Sequence, residues 1–297
     1  FNSAINHPQE VGSLLKPIRG HNMAKAGLET AIWDLYARRL EKPLYQLLGG
    51  RRQTIDCGVS IGIQNSPTDL LKKIDKELHA GYQRIKLKIK PGWDVEVVRE
   101  VRKQFPKILL MCDANSAYTL DDLEHLKALD DFNLLMIEQP LAWNDIFDHV
   151  QLQKTLQTPI CLDESILDGE DARKAIEAGA CRIINIKLGR VGGYKEAIHV
   201  HDVCQARQIP VWCGGMLESG IGRAHNIALS TLQNFSLPGD VSASKRYFNQ
   251  DLIEPEVQVD SEGKIHILPN IGIGFQPNMR RIEQVTVRTE SFRPKEM

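Results

Sequence analysis

The sequence predicts an α/β protein, a closed parallel (β/α)7β barrel with a smaller α+β domain beside it. Three observations carry this expectation. Short apolar, strand-like runs recur about every 25 residues, each run is followed by a helical pattern with its own stop signal, and the runs end in charged side chains. Those ends are Lys88, Asp113, Glu138, Asp163 and Lys187, spaced by 25, 25, 25 and 24 residues. Such a repeat is one strand plus one returning helix, so successive strands lie parallel and carry their last side chains to one rim.

Residues 1–20 show no sustained period. From Met23 to Leu40, apolar residues at 24, 28, 31, 32, 35 and 36 follow helical spacing, and Leu47-Leu-Gly-Gly50 ends a second short helix on glycine. Thr54–Ile61 has a strand pattern, and Ser66-Pro67 caps the next helix, which stops at Ala80-Gly81. Further helices are expected at 94–105, 120–130, 145–157, 169–178 and 193–207, alternating with the charged-end runs. Ile209-Pro-Val-Trp-Cys213 adds a strand and Gly220–Phe235 a helix, and an eighth strand is expected near Gly239–Ala243. This count favours closure over an open doubly wound sheet, in which the five charged ends would lose their common centre. The domain expectation is residues 1–50 as the helical remnant of a capping domain whose N-terminal part is missing, 51–248 as a TIM-like barrel, and 249–297 as a C-terminal segment returning to the cap.

At 297 residues, with 42% hydrophobic and 25% charged residues, the chain has the composition of an ordinary globular protein. A formal charge of −1 argues against nucleic acid or an anionic membrane as partner, because both call for a basic surface. A small-molecule carboxylate is the expected partner. The six cysteines include no C-x-x-C pair and several lie in apolar runs, so buried reduced thiols are expected rather than a disulfide framework. No apolar stretch reaches membrane-spanning length and no signal-peptide pattern is present, so a cytoplasmic protein is expected. A homo-oligomer is a separate expectation.

Asp113, Glu138 and Asp163 are hard oxygen ligands, and no cysteine or histidine stands at a matching strand end to invite zinc. Three carboxylates with open positions suit Mg²⁺ or Mn²⁺, with a structural calcium site as the weaker alternative. One divalent ion leaves the three acids at −1, and two flanking ammonium groups bring the site to +1, ready for an anion. A substrate carboxylate held there could lose its α-proton to a lysine. Lys86, on the same strand face as Lys88, and the metal would both press Lys88 toward a basic role by lowering its pKa. Taken singly, Lys-x-Lys is usually a solvated strand end and Asp163-Glu-Ser a helix cap; five in register make a site.

These residues resemble a known family. Lys86-Leu-Lys88, Asp113-Ala-Asn-Ser, Ile137-Glu-Gln-Pro140, Leu162-Asp-Glu-Ser165 and Asn185-Ile-Lys-Leu-Gly-Arg-Val-Gly-Gly193 are similar to the enolase superfamily, and the paired strand-end lysines to its muconate-lactonising-enzyme-like subgroup. Met23-Ala-Lys-Ala, Trp212–His225 and Pro238-Gly-Asp-Val-Ser are most like o-succinylbenzoate synthases and N-acylamino-acid racemases. The resemblance implies Mg²⁺ on Asp113, Glu138 and Asp163, with Lys88 and Lys187 as acid and base. It implies substrate contacts at Ser60, Lys86, Asn115, Gly215 and Met216. The implied chemistry is removal of a proton α to a carboxylate through an enediolate. The expected reaction is the Mg²⁺-dependent dehydration of o-succinylbenzoate synthesis, serving menaquinone synthesis, with N-succinylamino-acid racemisation, or both activities, as the alternative.

From a different class, a truncated non-catalytic barrel remains open, since family members normally begin with a loop-bearing segment ahead of where this sequence starts. His199-x-His201 lies on a helix, where i and i+2 face apart, which argues against a metal pair. His225 is expected to pack. Gly189-Arg-Val-Gly-Gly193 lacks phosphate-loop spacing and is expected to be a turn.

Overall fold

The computed structural model describes residues 5–291; the outermost residues of the two flanking segments, 1–4 and 292–297, lie outside them. In chain order the elements are α1 (Glu10–Leu14), α2 (Asn22–Arg39), α3 (Leu44–Leu47), β1 (Thr54–Asp56), β2 (Gly58–Ile61), α4 (Pro67–His79), β3 (Arg84–Lys88), α5 (Val95–Gln104) and β4 (Leu109–Asp113). There follow α6 (Leu123–Lys127), β5 (Ile137–Glu138), α7 (Phe147–Thr155), β6 (Ile160–Leu162), α8 (Gly169–Ala178), β7 (Ile183–Ile186), α9 (Leu188–Val191), α10 (Tyr194–Ala206), β8 (Val211–Cys213) and α11 (Gly220–Ser230). The chain ends in β9 (Ile253–Glu254), β10 (Lys264–His266), β11 (Gln276–Pro277) and α12 (Met279–Val285).

Strands β2 to β8 form a seven-stranded sheet in sequence order, every neighbour parallel. The helices start where the sequence provides acceptors for their free N–H groups: Ser66 accepts from Asp69 N and Asp168 from Asp171 N. Gly179 ends α8 in the left-handed conformation. The expected eighth strand is a bridge rather than a strand. Gly239 exchanges hydrogen bonds with the β1–β2 junction (Gly58 N to Gly239 O, 2.7 Å; Gly239 N to Asp56 O, 3.1 Å), while Asp240 N donates to Cys213 O of β8 at 2.8 Å. Two residues thus reach both edges of the curled sheet, giving the TIM-like form.

Three further expectations change in detail. The run 54–61 splits at Cys57: β1 pairs antiparallel with β10, and only β2 joins the barrel sheet. The helix expected at 120–130 is α6 between two 3-10 turns, at 120–122 and 128–132. The helix expected to Phe235 stops at Ser230. The early and late parts of the chain lie together: Leu44 N donates to Gly272 O at 2.7 Å, and Asp34 accepts from Ile273 N at 2.8 Å.

Side chains alternate across a strand, so residues two apart share a face. The face that ends in Lys88, Asp113, Glu138, Asp163 and Lys187 is therefore also the face of Met111, Met136, Cys161, Ile183 and Trp212, which form one buried cluster inside the sheet. The other face packs on the helices in the larger core, with Ile85, Leu110, Ile137, Leu162 and Ile186 among its members. The five charged ends are not level. Lys88 pairs with Asp113 and Asp113 with Glu138, but Glu138 pairs with Cys161 and Cys161 with Ile183. Asp163 and then Lys187 each step two residues further out, the stagger that strand tilt imposes on a barrel. All six cysteines are free and buried.

Candidate active site

The strand ends converge into a network of alternating charge. Lys86 is buried, with its Nζ 2.9 Å from Glu138, 3.1 Å from Asp113 and 2.7 Å from Asp240. Lys88 Nζ lies 2.6 Å from Asp113 and also donates to Asn115 Oδ1. Across the rim, Lys187 Nζ is 2.5 Å from Asp163, which also takes the Arg190 guanidinium. Asn185, two residues before Lys187 and on its face, donates to Glu138 Oε1 at 2.7 Å. Lys88 and Lys187 thus stand at opposite flanks of three carboxylates.

Local sequence makes room for this. A Cβ on Gly214 would fall 2.4 Å from Asn185 Oδ1 and 2.8 Å from Lys187 Cε, so only glycine lets β8 pass behind that lysine. Arg84 and Lys86 lie over the Trp212 ring, 5.1 and 4.9 Å from its centroid, which places an aromatic floor beneath the cations.

Burial pushes the Glu138 carboxyl up to about 7, with Lys86 opposing and Asp113 adding to the rise. Burial acts the same way on Asp113, but the Lys86 and Lys88 ammoniums outweigh it and hold that acid at about 2. Lys86, despite burial, is kept well above its usual range by Asp240, Glu138 and Asp113.

The donor set fits a divalent cation by its chemistry. It is all oxygen, it spans three adjacent strands, and burial leaves Glu138 short of compensating charge. Two further buried acceptors nearby, Asn185 Oδ1 and Glu164 Oε2, lack hydrogen-bond partners. Among the described residues no three acid, histidine or cysteine side chains are gathered as a metal cluster, because each carboxylate is turned to a lysine or arginine.

A cavity of about 260 Å³ opens over this network, lined by Ser60, Lys86, Lys88, Lys187 and Gly215, together with Leu217, Asp240, Ser242, Arg246 and Tyr247. Ser60, Lys86 and Gly215, three of the expected substrate contacts, line this cavity. Asn115 stands behind Lys88 and donates to Glu164 Oε1 at 3.0 Å. Met216 does not line the cavity and is partly exposed beside Gly189. Sequence reasoning did not assign Asp240, Asn185 or Arg190 to the site. Asn185 was legible by its two-residue offset from Lys187; Asp240 sits in the bridge, where no strand pattern marked its direction.

His201 and His225 are engaged within the fold. His201 Nε2 accepts from Asn234 N at 3.0 Å, and His225 Nδ1 lies 2.9 Å from Tyr194 Oη, with burial lowering its pKa to about 4.

Residues 69–281 match the family model for the enolase C-terminal domain-like fold, and residues 3–49 that for the mandelate racemase / muconate lactonizing enzyme N-terminal domain. An o-succinylbenzoate synthase of Geobacillus stearothermophilus is 59% identical, over 97% of this chain and 76% of that protein. An N-succinylamino acid racemase of Thermus thermophilus is 50% identical, over 95% and 76%. Among solved structures, an enolase-superfamily member from Listeria innocua superposes with a TM-score of 0.93 at 44% identity, covering 97% of this chain and 77% of that one. A dipeptide epimerase of Enterococcus faecalis, solved with Mg and the dipeptide L-Leu-L-Tyr, gives 0.83 at 26% identity, covering 91% and 78%.

Proposed function

The chain belongs to the enolase superfamily, in its mandelate racemase / muconate lactonizing enzyme group, and from that premise we propose that it dehydrates a cyclohexadiene carboxylate to o-succinylbenzoate. The observation that carries the chemistry is the placing of Lys88 and Lys187 on opposite flanks of three buried carboxylates, at one 260 Å³ cavity. Relatives named for the synthase at 59% and 57% identity favour dehydration over racemisation.

In this proposal Asp113, Glu138 and Asp163 hold Mg²⁺, which Mn²⁺ can replace. Bound there, the ion supplies positive charge where the substrate carboxylate gains a second negative charge. Lys88 removes the α-proton and then returns it to the departing hydroxyl, while Lys187 steadies the enolate from the other face. Lys86 stays charged between its carboxylates and supports the substrate carboxylate with Ser60 and Gly215, which line the same cavity. In the alternative reaction, N-succinylamino-acid racemisation, one lysine takes the proton and the other returns it; relatives named for that activity at 50% identity support it as a second function.

We assign residues 1–50 and 249–297 to a capping domain and 51–248 to the barrel, and expect a cytoplasmic homo-oligomer. No helix among the described residues is long and apolar enough to cross a membrane.

Steady-state dehydration and racemisation assays, with Mg²⁺ or with chelator, test this function. Both Lys88→Ala and Lys187→Ala should abolish racemisation, and Lys88→Ala should abolish dehydration. Racemisation surviving either change would remove the two-base assignment. Absence of solvent deuterium exchange into an N-succinylamino acid in a folded, Mg²⁺-loaded sample, with no dehydration either, would sink the enzyme reading.

A further inference from the structure

Gln139 follows Glu138 directly, is completely buried, and adopts φ of 38°, a region that non-glycine residues seldom occupy. Every polar atom it has is engaged at the rim. Its side-chain Oε1 accepts from Asp163 N at 3.0 Å and Ser165 N at 3.3 Å. Its Nε2 donates to Ser165 Oγ at 2.6 Å and Ala142 O at 3.1 Å. Its backbone N donates to Cys161 O at 2.9 Å, and its carbonyl accepts from Ser116 N at 2.8 Å. One residue therefore ties together the segments that leave β4, β5 and β6, immediately after Asp113, Glu138 and Asp163.

We propose that Gln139 is a positioning residue that sets the separation of the three carboxylates and thereby their affinity for a divalent cation. The proposal rests on the reading of those acids as metal ligands. Three like charges repel one another, so a ligand set of this kind keeps its spacing only if the backbone beneath it is held. The Asp163 N–H to Gln139 Oε1 bond does this most directly, because it fixes the Asp163 backbone to the residue bonded to Glu138. Positive φ recurs after the neighbouring ligand strand, at Asn115 and Ser116 (42° and 65°), so the chain turns in a left-handed conformation where the carboxylates emerge from β4 and β5, as it also does at Leu217 (58°) beyond β8.

A control exists in α7, at the other end of β6. Gln153 is also buried and binds backbone in the same style, with Oε1 accepting from Ile160 N at 2.7 Å and Nε2 donating to Thr158 O at 3.3 Å. It does so at the opposite, amino-terminal end of β6. A purely structural role for Gln139 would make the two glutamines equivalent.

Mn²⁺ binding, measured by electron paramagnetic resonance together with Tm, separates the cases. Gln139→Met keeps the side-chain volume and removes its hydrogen bonds; it should weaken Mn²⁺ binding about 10- to 100-fold. Gln153→Met should lower Tm comparably and leave Mn²⁺ affinity within about twofold of wild type. Ser165→Ala removes one acceptor of the Gln139 amide, the Ser165 hydroxyl, with less disruption and should weaken binding severalfold; it carries the test if Gln139→Met does not fold. Wild-type affinity in folded Gln139→Met or Ser165→Ala, or an equal loss in Gln153→Met, overturns the proposal. If wild type binds no Mn²⁺, or Glu138→Gln binds as wild type does, the metal reading itself fails. Loss in Glu138→Gln with none in Gln139→Met removes the positioning role alone.

Discussion

Asp240 joins two buried cations, Arg84 Nη1 at 2.8 Å and Lys86 Nζ at 2.7 Å, and those guanidinium and ammonium groups hold its carboxyl well below the usual range in spite of burial. Asp240→Asn keeps the shape and removes the charge, leaving Arg84 without a carboxylate partner inside the barrel. Breaking a buried pair from one side costs about 3–5 kcal/mol, and chemical denaturation should show a loss of that order. Glu29 offers a pH-dependent counterpart at the start of α10. It accepts the backbone N–H groups of Tyr194 and Lys195 at the start of α10, yet burial pushes its carboxyl up to about 7. The folded state therefore holds this proton more tightly than the unfolded state. Its stabilising contribution is complete below about pH 4.5 and is lost as pH rises toward 7, roughly 3 kcal/mol in all. Glu29→Gln should remove that portion of the slope of unfolding free energy between pH 5 and 8. An unchanged slope would show that the carboxyl is ionised throughout.

At the scale of elements, β8 is followed by Gly214 because Asn185 and Lys187, at and just beyond the end of the neighbouring strand, occupy the space a Cβ would need. Gly214→Ala should leave the far-ultraviolet circular dichroism intact while displacing Lys187, and a misplacement near 1 Å lowers kcat/KM by about 100-fold. Activity within threefold of wild type would mean that the lysine position is not critical. Helix ends marked by Ser66 and Gly179 and the charged strand ends are legible in the sequence, since such caps act locally and a strand needs only alternation. The irregular stretch at 120–132 was not: its apolar spacing is helical, and its capping by the Thr119–Asp122 box does not reveal the 3-10 turns on either side of α6. The break at Cys57 was equally hidden, because β1 and β2 form one continuous pattern and separate only when β10 takes the first of them.

For the whole molecule, the proposed metal should couple to stability, since an ion bound by the folded chain alone shifts unfolding by mass action. At 100 times its dissociation constant Mg²⁺ contributes about 2.7 kcal/mol, which for a domain of this size raises Tm by about 5 °C. Differential scanning fluorimetry with Mg²⁺ and with chelator checks this, and Glu138→Gln should abolish the shift. Identical melting in both solutions would count against a site of useful affinity.

The barrel architecture, the five charged strand ends and the opposition of lysines to acids were all readable along the chain. Strand alternation and the 25-residue repeat are local properties that survive any packing. What the fold alone decided is how far apart those charges sit and what each one touches. Strand stagger placed Asp163 and Lys187 on successively higher steps, the bridge at 239–240 brought Asp240 to Lys86, and Gln139 bound three rim segments together. Those contacts join residues from different strands, so their geometry depends on register and closure, quantities that no single stretch of sequence encodes.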